Sequence, residues 1–351
     1  MIVEDLTLGI DVRAALVAAL LSAGLSPAAA QVPFKLNVGI TNSASDVPIF
    51  VADARGYFKK EGLDVDLVKF DSAARMIAPF ASGELSVGAG GPSAGFFNAV
   101  GRGIDIRIVA DKTSTTPGRP INFLVVRKDL VESGRYKQLS DLRGMKIGGA
   151  APGGAATATL DKLLAMAGLT SNDVERVYLA FPQQVIALQN KIADAAMPTE
   201  PFVTAAVENG SGVRIIGDDV IYPGHQLATL FYTGEFIKKH PDEANRFMRA
   251  YILGARDYND AVVGTHLAGP KGEDVISILT RYSLVTDPAV HRSLTAVNID
   301  PDGKLNVLSL KEDVDIFRKE GLIEGSVDVD KVVDTSIAEA AVRALGPYVR
   351  K

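Results

Sequence analysis

The feature that most constrains the fold is an internal repeat of strand, turn and helix. Residues 82–111, SGELSVGAGGPSAGFFNAVGRGIDIRIVAD, resemble residues 190–218, NKIADAAMPTEPFVTAAVENGSGVRIIGD. Each segment reads as a short apolar strand, a glycine- or proline-bearing turn, an apolar helix and a second alternating strand. The same order precedes each copy. KLNVGIT alternates as a strand, a helix follows from Pro48 to Glu61 with Gly62 as its stop, LDVDLVKF is a second strand, and 73–82 is a helix. Asp46 stands where the N-cap of the first of these helices belongs. From residue 146 the series is strand KIGGA, helix 155–167, strand VERVYLAF and helix 183–191. Short connections between alternating strands and helices produce mainly parallel sheets covered by helices.

A chain of 351 residues has the length of about two domains. The expected fold is therefore α/β with two similar lobes. Residues 31–122 together with 228–351 are assigned to lobe one and 123–227 to lobe two, with crossings near 122–124 and 222–228. Residues 234–351 are mostly helical by their apolar spacing of three and four, and this C-terminal segment is expected to pack on lobe one.

Composition removes several classes of function. The net charge of −5 argues against a general affinity for nucleic acid or an anionic membrane. With no cysteine there are no disulfides, thiolate metal sites, cysteine nucleophiles or lipid-anchoring cysteine. The four histidines, His225, His240, His266 and His291, lie far apart, so neither a metal nor a cofactor is expected. Residues 14–23, AALVAALLSA, followed by GLSPAAAQ, have the form of a signal peptide spanning 1–30, cleaved after Ala30. The apolar run is too short to cross a bilayer. Its leading segment is unusual, since Glu4, Asp5 and Asp11 outnumber Arg13. The expectation is a protein exported to the periplasm without a lipid anchor.

Residues 146–164, KIGGAAPGGAATATLDKLL, form a strand, a glycine turn and a helix start. Gly149 and Gly154 have P-loop spacing, but Ala155 stands where the lysine belongs, and no G-x-G-x-x-G is present. What remains is a helix N-terminus among small residues. Either it is a tight turn without a ligand, or its N–H groups and helix dipole receive an anion. Open α/β sheets bind ligands at the carboxyl ends of their strands. In lobe one those ends carry Thr41, Asn42, Ser43 and Asp46, then Asp71 and Ser72, then Gly90, Gly91, Pro92 and Ser93. In lobe two they carry Pro152, Gly153, Gly154, Ala155, Ala156 and Thr157, then Phe181 and Gln183, then Thr199 and Glu200. Arg75 and Arg119 are candidates to pair with a planar anion, or are solvated surface arginines. Glu200 either accepts from a ligand or supports a helix start. Phe96, Phe97, Phe181, Phe202 and Tyr222 could flank an organic body or fill the core. No G-x-S-x-G, H-E-x-x-H or paired carboxylates occur, so no catalytic residue is assigned and no enzyme is expected.

GYFKKEGLDVDLVKF, SGELSVGAGGPSA, DLRGMKIG, MPTEPF and FRKEGLIEGSVDVDKVVD together resemble the solute-binding proteins of ABC importers, in the group that binds nitrate, sulfonates, taurine and thiamine-pyrimidine precursors. The resemblance covers about residues 35–343. It implies a two-lobed type II periplasmic-binding fold, hinged closure on a small-molecule solute, and delivery to a membrane permease served by a separate ATPase. It implies a monomer without cofactor. It carries the ligand-binding role to Thr41–Asp46, Asp71, Gly90–Ser93, Pro152–Thr157, Thr199 and Glu200. Glycine-rich helix starts favour a sulfonate or carboxylate. The alternatives are a thiamine-related pyrimidine precursor, an enzyme of the same fold, or a ligand sensor. The enzymatic branch uses a cysteine-rich motif that this chain lacks.

Overall fold

The structure is a computed structural model that describes residues 32–351; the expected signal segment 1–30 lies outside the described residues. Ten strands form two five-stranded sheets. In the first sheet are β1 (Phe34–Ile40), β2 (Leu63–Lys69), β3 (Val87–Gly90) and β4 (Ile106–Thr113). The second holds β5 (Phe123–Arg127), β6 (Lys146–Gly149), β7 (Glu175–Tyr178), β8 (Ala195–Ala196) and β9 (Gly212–Gly217), and the chain then returns to the first with β10 (Ala228–Thr233).

The strand orders are β2-β1-β3-β10-β4 and β7-β6-β8-β5-β9. β1 runs parallel to β2 and β3, and β10 runs antiparallel to β3 and β4. β6 runs parallel to β7 and β8, and β5 runs antiparallel to β8 and β9. The two sheets thus share one topology: four parallel strands with one antiparallel strand in fourth place. In each sheet the antiparallel strand is the one the chain uses to arrive from the other. The repeated segments occupy matching places, β3–helix–β4 and β8–helix–β9. This is a two-lobed α/β fold, with mainly parallel sheets covered by helices.

Local chemistry explains most element ends, with three departures from the periodicity. The helix read over Pro48–Glu61 divides into Val47–Ala54 and Tyr57–Lys60, because Gly56 adopts φ +68° between them. The 73–82 helix opens with a 3₁₀ turn, Ala73–Met76, before Ile77–Ser82. Asp46 does not cap Val47–Ala54 with its side chain; its carboxylate is engaged elsewhere, as described below.

The core of lobe one alternates along β1, where Leu36, Val38 and Ile40 are buried. Phe50 and Val51 cover them from Val47–Ala54, and Phe247 and Tyr251 from the long helix Pro241–Ala261. These two helices pack closely because residue 254 is glycine: a Cβ there would lie 2.1 Å from the Pro48 carbonyl oxygen. The C-terminal helices do more than cover lobe one. Val307–Lys319 also packs on Ala155–Met166 of lobe two, and Pro288–Ser293 on Phe202–Glu208. One ion pair joins the first pair, Lys162–Glu312 at 3.0 Å, and three further polar contacts tie lobe two to the same C-terminal segment: Tyr222–Glu312 at 2.9 Å, His225–Asp313 at 2.9 Å and Arg176–Glu320 at 3.2 Å.

Candidate functional site

The loops after β1, β2 and β3 and the end of β4 line one cavity with the loops after β6, β7 and β8. Its volume is about 90 Å³, the space of roughly six to nine water-sized groups.

Lobe one lines the cavity with side chains. Thr41, Ser43 and Ser45 form a run of hydroxyls, with oxygens 3.3 and 2.9 Å apart along the run. Ser72, Ser93 and Thr113 add three more hydroxyls. Lys112, near the end of β4, reaches the cavity with its side chain otherwise fully buried. Its Nζ lies 2.7 Å from Asp46 Oδ1 and donates to Thr41 Oγ1 at 3.3 Å. Asp46 Oδ2 accepts the Ser43 N–H at 2.9 Å. The Asp46 carboxylate therefore ties the β1 loop to the lysine instead of capping its helix.

Lobe two lines the cavity with the small residues Ala150, Ala151, Gly154, Ala155 and Ala156, together with Phe181, Thr199 and, at the crossing, Asn122. The helix Ala155–Met166 starts at Gly154 with no side-chain cap. Thr157 N–H donates to the Gly154 carbonyl at 2.8 Å, but the N–H groups of Ala155 and Ala156 have no protein acceptor among the described residues. Both residues line the cavity, so two free donors and the positive end of a three-turn helix meet it. The matching helix of lobe one, Ala94–Gly101, is occupied at its start. Ser93 Oγ accepts the Phe96 N–H at 3.1 Å, and Ala94 N–H donates to the Gly153 carbonyl at 2.7 Å. That last bond joins the two lobes at the cavity lip, and Ala44 N–H makes a second such bond to the Glu200 carbonyl at 3.0 Å.

Of the residues that strand-end reasoning selects, Thr41, Ser43, Ser72, Gly90, Gly91 and Ser93 line the cavity from lobe one, and Gly154, Ala155, Ala156, Phe181 and Thr199 from lobe two. The others point away or bind elsewhere. Asn42 donates to the Tyr282 carbonyl and accepts from Leu284 N–H. Asp71, Arg75 and Pro152 are exposed. Pro92 is buried beside the cavity without lining it. Gly153 shapes the lip, with φ +58°. Thr157 donates to the Ala151 carbonyl, and Gln183 accepts from Ala180 N–H. Glu200 is engaged inside lobe two by Thr204 and Arg214, and its burial raises its pKa. Arg119 does not reach the cavity, because its guanidinium donates to the Gly264 carbonyl at 2.7 Å.

Among the aromatic candidates only Phe181 lines the cavity. Phe96 packs on Phe97 and Phe231 in the core, Phe202 stacks behind Phe181, and Tyr222 donates to Glu312. Ser45 falls within the Thr41–Asp46 loop that the resemblance selects, but strand-end reasoning does not single out Lys112, Asn122 or Thr113. The first of these carries a usable signal: a lysine directly after the buried strand IRIVAD, at a carboxyl end.

Both crossing segments are held by a buried aspartate at the end of the repeat. Asp111 accepts from Asp300 N–H at 2.9 Å and from Gln226 Nε2 at 2.5 Å. Asp218 accepts from Ile121 N–H, Asn122 N–H and Asn122 Nδ2 at 3.1, 3.0 and 2.7 Å. Burial pushes their pKa values up to about 7 and about 6.

Among the described residues the cavity walls carry no histidine and no carboxylate. They can hold an acceptor-rich group through hydroxyls, two N–H donors and one ammonium. Among the described residues no three histidine, aspartate or glutamate side chains are grouped to hold a metal, and no helix is long and apolar enough to cross a membrane.

Comparisons with known proteins agree with this architecture. No curated protein sequence matches the chain. Among solved structures, the periplasmic nitrate-binding protein NrtA from Synechocystis PCC 6803 superposes with a TM-score of 0.74 at 14% identity, covering 89% of each chain. The ligand-binding component of an ABC-type import system from Staphylococcus aureus, with zinc bound, gives 0.71 at 15%, covering 88% of this chain and 99% of that one. The alkanesulfonate-binding protein SsuA from Xanthomonas axonopodis pv. citri, bound to MOPS, gives 0.67 at 18%, covering 86% and 98%. These likenesses establish the fold. The family is established by the sequence itself: residues 29–262 match the model of the NMT1-like family, so the chain is a member of that family.

Proposed function

We propose that the protein is the solute-binding component of an ABC importer, closing its cleft on a small organic anion of the sulfonate or carboxylate class. It would work in the periplasm and hand the solute to a membrane permease driven by a separate ATPase. The observation that carries this reading is the make-up of the cavity. One wall is a run of hydroxyls around a buried lysine, and the other is an uncapped helix start with two free N–H groups. Oxyanions are recognised by such donors. Carboxylates and sulfonates present several acceptor oxygens in a compact head, and the cavity has room for a head with a short body. Among the described residues one aromatic ring, Phe181, lines the cavity, which does not favour a pyrimidine held between two rings. The neighbours that bind nitrate or alkanesulfonates by their own descriptions support the anion class by analogy of fold.

The test is thermal unfolding of the purified protein in a buffer free of sulfonates, with nitrate, short alkanesulfonates, aliphatic and aromatic carboxylates and pyrimidines added in turn. A solute present at ~100 times its Kd stabilises the protein by about 2.7 kcal/mol. Stabilisation confined to sulfonates or carboxylates, with the compound recovered unchanged, is the expected result. Stabilisation by pyrimidines alone, or recovery of an altered compound, would overturn it.

A further inference from the structure

The charge of the cavity is set by one pair of residues. Lys112 is the only charged side chain among the described residues lining it. Both Lys112 and Asp46 have fully buried side chains, 2.7 Å apart. An ammonium has three donors. The Lys112 hydrogen bond goes to the Thr41 hydroxyl, Asp46 Oδ1 lies in ion-pair contact at 2.7 Å, and no further protein acceptor is present among the described residues. Asp46 is in turn held from behind by Ser43 N–H. The lysine thus keeps donor capacity for a solute, while its full charge is already balanced by a carboxylate that does not line the cavity.

We infer that Lys112 receives the negative charge of the solute and that its pairing with Asp46 restricts the site to monoanions. This inference rests on the reading of the cleft as an anion site. With the pair in place the protein side is neutral apart from the partial charge of the Ala155 helix start. A monoanion leaves one net negative charge in a buried site, shared among hydroxyls, N–H groups and the helix dipole. A dianion leaves two, and each buried charge without a counter-charge carries a desolvation penalty. Asp46 acts through Lys112 as a positioning residue, and its carboxylate sets the charge the site accepts. Replacing Asp46 by a neutral isostere makes the pocket positive, so a dianion then leaves the same net charge that a monoanion leaves in the native protein.

The experiment is titration calorimetry with four probes: ethanesulfonate and benzoate as monoanions, sulfate and succinate as dianions. With the native protein, at least one monoanion binds and both dianions bind at least about tenfold more weakly. In Asp46→Asn the bound monoanion tightens and sulfate gains about tenfold or more. Lys112→Met alone leaves Asp46 unpaired and can fail to fold, so the double variant Lys112→Met/Asp46→Asn, which removes both charges, is the one to use. It loses monoanion affinity by about 10–100-fold. Sulfate or succinate binding the native protein as tightly as the monoanions would overturn the inference alone. So would a double variant that keeps monoanion affinity within about threefold of the native value. No heat with any of the four probes would overturn the anion-site reading itself, and this inference with it.

Discussion

The two lobes share one strand order, yet they meet the cavity with different chemistry. In lobe one the loop after the first strand is stiffened by side chains: Asp46 holds Ser43 N–H and Lys112, and three hydroxyls follow one another along the wall. In lobe two the matching loop is glycine and alanine, and its helix presents bare N–H groups. The equivalent aspartates at the ends of the repeats, Asp111 and Asp218, hold crossing segments in both lobes. The residue after them differs: Lys112 turns into the cavity, whereas Asp219 accepts the Gly118 N–H outside it. One topology can thus carry specificity in side chains on one side and in backbone on the other. The side-chain wall can be retuned by single substitutions, while the backbone wall depends on glycine and alanine staying small.

The largest expected effect separates these walls by stability. Lys112→Met should lose up to about 5 kcal/mol of unfolding free energy in urea, because it strands the Asp46 carboxylate in the interior. Adding Asp46→Asn should recover most of that loss. A single variant as stable as the native protein would show that the side-chain wall is not held by the pair.

Next in size is the contrast between the two crossing aspartates. The folded-state pKa of Asp111 is raised from 3.8 to about 7 and that of Asp218 from 3.8 to about 6, in both cases by burial. Folding therefore takes up protons in that window. The stabilising contribution of each group is complete below about pH 4 and is lost as pH rises through its folded value. At 1.36 kcal/mol per unit the losses are on the order of 4 and 3 kcal/mol. Urea unfolding from pH 4 to 8 should show the decline. Asp111→Asn should flatten it more than Asp218→Asn, with its effect extending to higher pH. Equal flattening would erase the distinction.

Smaller effects probe the lip and the backbone wall. Gly153 has φ +58°, and a Cβ there would lie 2.6 Å from the Ala94 Cβ across the lip. Gly153→Ala should weaken binding of whichever panel solute is captured by about 2–3 kcal/mol, since the lobes can no longer meet. Ala155→Pro is the mildest change. Gly154 is extended, with φ −87° and ψ 174°, and proline suits the first helical position. It removes a single N–H and should reduce solute affinity by about 1–2 kcal/mol while leaving urea stability unchanged. Calorimetry reads both variants, and full affinity in Ala155→Pro would remove that N–H from the site.

Much of this architecture is legible in the residues alone. Alternation, glycine stops and proline starts locate most strands and helices, and the repeat at 82–111 and 190–218 already implies two like lobes. These signals are local: each depends on the pleat, the helical period or a backbone angle within a few residues. For the same reason six lobe-one and five lobe-two cavity residues could be chosen from strand ends. Local signals do not show how distant segments pair. FLVVR and ATLFYT have the composition of strands, but their antiparallel insertion in fourth place follows from where the chain crosses between sheets. Arg119, in sequence either a candidate anion partner or a solvated arginine, is held by a carbonyl at Gly264, while Lys112 is the cavity's cation, with Asp46, 66 positions earlier in the numbering, beside it. Local patterning in the residues thus accounts for the α/β class, the repeated strand–helix unit and many of the loops at strand ends. The charges those loops share follow from the folded chain instead, because a buried charge takes its place from whichever counter-charge folding brings within contact distance.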